Sequence, residues 1–154
     1  MFARQIAVAC LAAEALTACA PEAPKGVERE ALDAAISRAI GDPQSCVLIA
    51  ELDSGKLVYR YNTHSACDRQ LPACAGPGSA MQTIDDLLKV TRKDGQARAM
   101  SCNSLADASR GVGWASGAIA GKGLVYAAMM EGDRAFPGRV MADRLSQAFK
   151  DAGH

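Results

Sequence analysis

The chain has 154 residues, and its 17 acidic and 17 basic side chains cancel to a formal net charge of zero. That length suits one domain able to bury its own core. The charge balance lacks the clustered cationic excess that nucleic acid demands, and an aromatic content of 5% leaves few rings for stacking on bases or sugars. No nucleic-acid partner is expected.

The first segment reads as a secretory signal: Arg4 supplies positive charge, and a mostly apolar run follows from Ile6 to Thr17, with Glu14 the one carboxylate inside it. The run is too short to span a bilayer. It ends in Leu16-Thr17-Ala18-Cys19, which resembles the lipobox of bacterial lipoproteins. The resemblance implies that 1–18 is a cleaved signal peptide and that Cys19 becomes a lipid-bearing N-terminus, holding the protein at a membrane. Ala20 rather than aspartate after the cysteine resembles the outer-membrane sorting pattern of Gram-negative bacteria. The implied location is the cell envelope, facing the periplasm. Residues 19–26 then form a tether rich in Pro and Ala, and 27–154 a single domain.

Within the domain, Val27, Ala31, Leu32, Ala35, Ile36, Ala39 and Ile40 recur at helical spacing until Gly41 and Asp42-Pro43 end the helix. Residues 46–52 and 57–61 flank the turn cluster Asp53-Ser54-Gly55-Lys56 and predict a β-hairpin. A long loop, 62–78, carries Cys67 and Cys74. Ser79-x-x-Gln82 has the form of a capping box, opening a helix with Met81, Ile84, Leu87, Leu88 and Thr91 inward. Strands are expected at 97–102, 112–119 and 124–130, the last two joined by Ala120-Gly121-Lys122-Gly123. A final helix begins at Phe136-Pro137-Gly138, with Met141, Leu145, Ala148 and Phe149 on its apolar face. Short turns between neighbouring strands imply an antiparallel arrangement. The expected fold is α+β: a five-stranded antiparallel sheet, in the order 2-1-5-4-3, with N-terminal, middle and C-terminal helices.

Of the six cysteines, Cys10 leaves with the signal and Cys19 takes the lipid. Cys46, Cys67, Cys74 and Cys102 remain and, in an exported chain, predict two disulfides, each contributing about 2–4 kcal/mol. Counting back from the hairpin turn places Cys46 near Cys67, favouring Cys46–Cys67 with Cys74–Cys102. Cys67–Cys74 with Cys46–Cys102 stays open. A metal site built on His64, Cys67 and Cys74 lacks the close Cys-x-x-Cys pairs of structural zinc. No metal or other cofactor is expected.

The hairpin, the segment Cys67-Asp68-Arg69-Gln70-Leu71-Pro72-Ala73-Cys74, and the runs GWASG and LVYAAMMEG resemble a cut-down core of the serine β-lactamases and penicillin-binding proteins. That family uses Ser-x-x-Lys and Lys-Thr-Gly. No serine in this chain has a lysine three residues on, and no lysine precedes Thr-Gly or Ser-Gly. Ser101-Cys102-Asn103 alone fits the family's Ser-x-Asn spacing. The same element order occurs in roadblock and longin-like modules, which is an analogy of fold.

Ser79, Ser101, Asn103 and Trp114 are therefore carried forward as ligand-contact candidates, Trp114 alternatively as core. No catalytic residue is assigned. His64 with Ser65 and Asp68 reads as a solvated loop, and Gly121-Lys122-Gly123 as a hairpin turn rather than a phosphate loop. The reading is a non-catalytic, lipid-anchored binding or structural module with an envelope protein or cell-wall component as partner. The alternative is a diverged penicillin-recognising protein that binds or weakly hydrolyses peptidoglycan or β-lactams.

Overall fold

A computed structural model describes residues 21–153. The expected signal peptide, Cys10 and Cys19 lie outside the described residues. The chain runs α1 (Arg29–Ile40), β1 (Ser45–Glu51), β2 (Leu57–Tyr61), α2 (His64–Cys67), β3 (Leu71–Pro72), β4 (Met81–Gln82), α3 (Ile84–Asp94), β5 (Arg98–Asn103), β6 (Gly111–Ile119), β7 (Leu124–Gly132) and α4 (Gly138–Asp151). The architecture is α+β, with one antiparallel five-stranded sheet and a separate two-stranded ribbon, β3-β4. The expectation counted five strands. The described residues form seven, and the large sheet is ordered β2-β1-β7-β6-β5.

Helices cover both faces of this sheet because its central strands are apolar on both. Alternate residues of a strand point to opposite sides. In β7, Leu124, Tyr126, Ala128 and Met130 join α1 and α4 in one core. Val125, Ala127 and Met129 join α3 in the other. β1 divides likewise, with Val47 and Ile49 on the first side and Cys46, Leu48 and Ala50 on the second. Buried Thr91 and Ser116 satisfy each other across the α3–sheet interface at 2.7 Å, so no hydroxyl is stranded there.

Three expectations are corrected. The helix expected from Ser79 begins at Ile84 instead, capped by Thr83 and Asp86, whose side chains bond each other's backbone N–H. A carboxylate at the third helical position complements the helix dipole as glutamine does not. Met81 and Gln82 are taken by pairing with Pro72 and Leu71, which leaves Met81 55% exposed rather than inward. The long loop is not featureless, since it holds α2, capped by Thr63 Oγ1 on the Ala66 N–H, and β3, the first strand of the ribbon. Part of the tether is also fixed to the domain. Arg29 Nη1 donates to the carbonyls of Pro21 and Glu22, and Pro24 is buried.

The C-terminal segment meets the sheet at two glycines. A Cβ at Gly113 would stand 2.1 Å from Phe136 O and 2.8 Å from Met141 Sδ. One at Gly138 would stand 2.2 Å from Trp114 O. Residues 136–138 thus lie against the backbone of β5 and β6, which sets where α4 starts. Gly113→Ala should lower stability by about 1–3 kcal/mol through forced displacement, measured by urea unfolding. An unchanged midpoint would show that this contact is not close.

Candidate functional site

The two ends of the sheet differ. At the end where β1 leaves and β7 enters, residues 24–27 lie beside Glu51, Lys122, Gly123 and Gly153. The opposite end, at Ser45 and Gly132, lies about 25–30 Å away along β7 and carries both disulfides. Cys46–Cys67 ties β1 to α2, and Cys74–Cys102 ties the ribbon loop to β5. Cys46 and Cys67 are buried, whereas Cys74 and Cys102 are half-buried. The bridges consume the thiols that a metal site would need. Among the described residues no cluster of three or more His, Cys, Asp or Glu could hold a metal ion.

Beside the bridges sits a buried carboxylate. Glu131 follows Val125, Ala127 and Met129 in strand parity, so β7 turns it inward, and it is 5% exposed. Arg110 grips it with two bonds, Nε to Oε1 at 2.7 Å and Nη2 to Oε2 at 2.8 Å. Arg69 Nη2 donates to Oε2 at 2.7 Å, and Ser104 Oγ to Oε1 at 3.0 Å. Arg69 also reaches Gln44 Oε1 at 2.6 Å. Arg110 foremost, then Arg69 and Ser104, lower the Glu131 carboxyl to about 2 against the opposing effect of burial. One side chain thus joins the segments carrying Gln44, Arg69, Ser104 and Arg110 to the end of β7. The Asn62 amide closes the same end, donating to Ser45 O at 2.9 Å and Asp42 O at 3.2 Å. Arg134, with a side chain 79% exposed, reaches Asp42 at 3.4 Å.

The sequence-derived candidates do not converge. Ser79 lies in a turn, its N–H on Gly76 O at 3.1 Å. Ser101 and Asn103 occupy exposed positions of β5, on the sheet face that carries α4. Trp114 points to the other face and is fully buried, its Nε1 donating to Pro72 O at 2.7 Å. The indole is core, and its one donor holds down the ribbon, so it marks no ligand groove. His64 meets Arg60, Ser65 meets Thr63 Oγ1, and no relay with Asp68 forms. Lys122 sits in the β6–β7 turn between Gly121 and Gly123, both at positive φ.

Sequence reasoning missed the Glu131 cluster, although one signal for it was present. An acidic residue continuing the inward parity of an apolar strand demands cationic partners. Which arginines answer it is a matter of tertiary structure. Among the described residues no helix is long and apolar enough to cross a membrane. No known protein family, curated protein or solved structure matches the chain.

The cluster makes a signed prediction. A carboxyl with a depressed folded pKa stabilises the fold fully above its unfolded value and loses that contribution as pH falls through the folded one. Glu131→Gln should cost roughly 2–3 kcal/mol at about pH 7. In chemical unfolding, its gap to wild type should narrow below about pH 4.5 and vanish only below about pH 2. A gap independent of pH would mean that charge is not what Glu131 contributes.

Proposed function

We propose that this protein is an exported, lipid-anchored envelope module that works by binding rather than by catalysis. Acylated Cys19 holds it to the membrane, outer membrane by the Ala20 pattern, with the domain facing the periplasm. The end carrying the bridges and the Glu131 cluster presents the surface for an envelope protein or cell-wall component.

The observation that carries this reading is the polarity of the domain. Residues 24–27 lie at one end of the sheet and the two cross-linked, ion-paired loops at the other. The tether meets the domain at that end and along β2, where Arg29 holds Pro21 and Glu22 and also donates to Arg60 O, and we take the cross-linked end to face away from the anchoring surface. Loops that carry recognition need to be held in shape, and cross-links that persist only in oxidising compartments agree with export. The penicillin-recognising alternative draws on element order alone, because Ser79 and Ser101 stand on separate elements without a shared basic partner among the described residues.

In a Gram-negative host, the wild-type chain should fractionate with membranes and Cys19→Ala should not mature as a lipoprotein. The readout is incorporation of radiolabelled palmitate, expected in wild type and absent in the variant. Equal labelling of both would refute anchoring through Cys19.

A further inference from the structure

On the face that carries α4, the gap between this helix and edge strand β5 stays open as a groove of about 380 Å³. Small residues make the room. Ala97, Ala99 and Gly117 form its floor, and α4 turns Ala142 and Ser146 toward them. Pockets of a few hundred cubic ångströms, apolar and with a few placed polar groups, are the usual form of small-ligand sites.

The wall of the groove holds a polar group with no hydrogen-bond partner among the described residues. Tyr126 is 7% exposed, laid over Gly117 and edge-on to Phe149 with ring centroids 5.0 Å apart. Its hydroxyl has no hydrogen-bond partner among the described residues, and it is not sealed within the protein but reachable from the groove. Tyr59, the other buried tyrosine, shows the ordinary solution, with its hydroxyl donating to Asp33 at 2.6 Å. Buried phenols normally find such partners. Burial first, then the charge of Asp143, pushes the Tyr126 phenol up to about 12, so it stays protonated and offers a donor. Lys150 follows Phe149 at the rim and forms no ion pair among the described residues. Arg98 also borders the groove, but its guanidinium is committed to Asp94 and Thr91. Asp143 is not among the lining residues.

An apolar floor, a phenol donor and an unpaired cation together call for an apolar chain ending in an anionic acceptor. We propose that the groove between α4 and β5 binds a free single-chain amphiphilic carboxylate, its head accepting from Tyr126 and drawn by Lys150, its tail along Ala97, Ala99 and Gly117. The groove is built wholly from residues 97–150, so the inference goes beyond membrane anchoring and does not rest on it.

The test uses dodecanoate carrying a terminal diazirine, photolysed with the full chain, and mass spectrometry to locate the label. Labelling should concentrate on peptides containing Ala97–Ala99 and Ala142–Lys150. Dodecanoate should compete about tenfold better than dodecanol, the margin expected of a charge-assisted hydrogen bond. Tyr126→Phe, which keeps the ring, and Lys150→Met should each weaken labelling several-fold. Ala99→Phe, which fills the groove from an exposed position, should abolish it, with circular dichroism confirming that each variant remains folded. Label spread evenly over the chain, or unchanged in Ala99→Phe, would overturn the site. Equal competition by dodecanol or by a dodecyl lysophospholipid would overturn the free carboxylate as its ligand.

Discussion

All nine residues of β7 are buried, and this single constraint dictates the rest of the architecture. A strand apolar on both faces must sit in the middle of its sheet, between β1 and β6, with something covering each side. α1 and α4 supply one cover and α3 the other. Fully burying each large side chain contributes roughly 1.5–3 kcal/mol, and β7 alone brings Leu124, Tyr126, Met129 and Met130. The nine-residue run ends in Glu131 and Gly132. Since the pattern carries Glu131 inward, the strand that builds the core also requires arginines at its end.

That requirement links fold to site. Arg69 and Arg110 come from loops with little core of their own, and the carboxylate gives those loops a fixed place. The disulfides act on the same region by another means, restricting the unfolded chain while the ion cluster stabilises the folded one. The opposite end of the sheet is held by smaller contacts: Arg92 on the Leu52 and Asp53 carbonyls, and Lys122 on Gly153 O. A domain so divided suits a module tethered at one end and exposed to partners at the other.

Much of the fold was legible because it follows from periodicity. The helices around Leu32 and Leu145, the Ser54-Gly55 hairpin and the strands flanking Gly121-Lys122-Gly123 all announce themselves through apolar spacing and turn residues. The helix start at Thr83-Asp86, in place of the expected Ser79-Gln82, was not legible, since the pairing of Met81 and Gln82 with Pro72 and Leu71 decided it. Nor was the site. The Ser-x-Asn spacing at Ser101 falls on an edge strand where the Ser101 and Asn103 side chains form no hydrogen bond among the described residues, while their neighbours Arg98 and Cys102 are engaged by Asp94 and Cys74. Glu131, Arg69 and Arg110 are scattered in sequence and meet only through the sheet. The groove beside Tyr126 is an absence of bulk at Ala99 and Gly117, and small residues leave no periodic signal.

The proposed export and lipidation of this domain, locked by the bridges Cys46–Cys67 and Cys74–Cys102, leave a signature in its mass. The most direct measurement is intact mass of protein extracted from the membranes of a Gram-negative host, taken with and without reduction before alkylation. The expected mass is that of residues 19–154 plus acyl chains, with Cys46, Cys67, Cys74 and Cys102 alkylated only after reduction. A chain that retains residues 1–18, lacks acyl mass, and alkylates at those cysteines without reduction would contradict it.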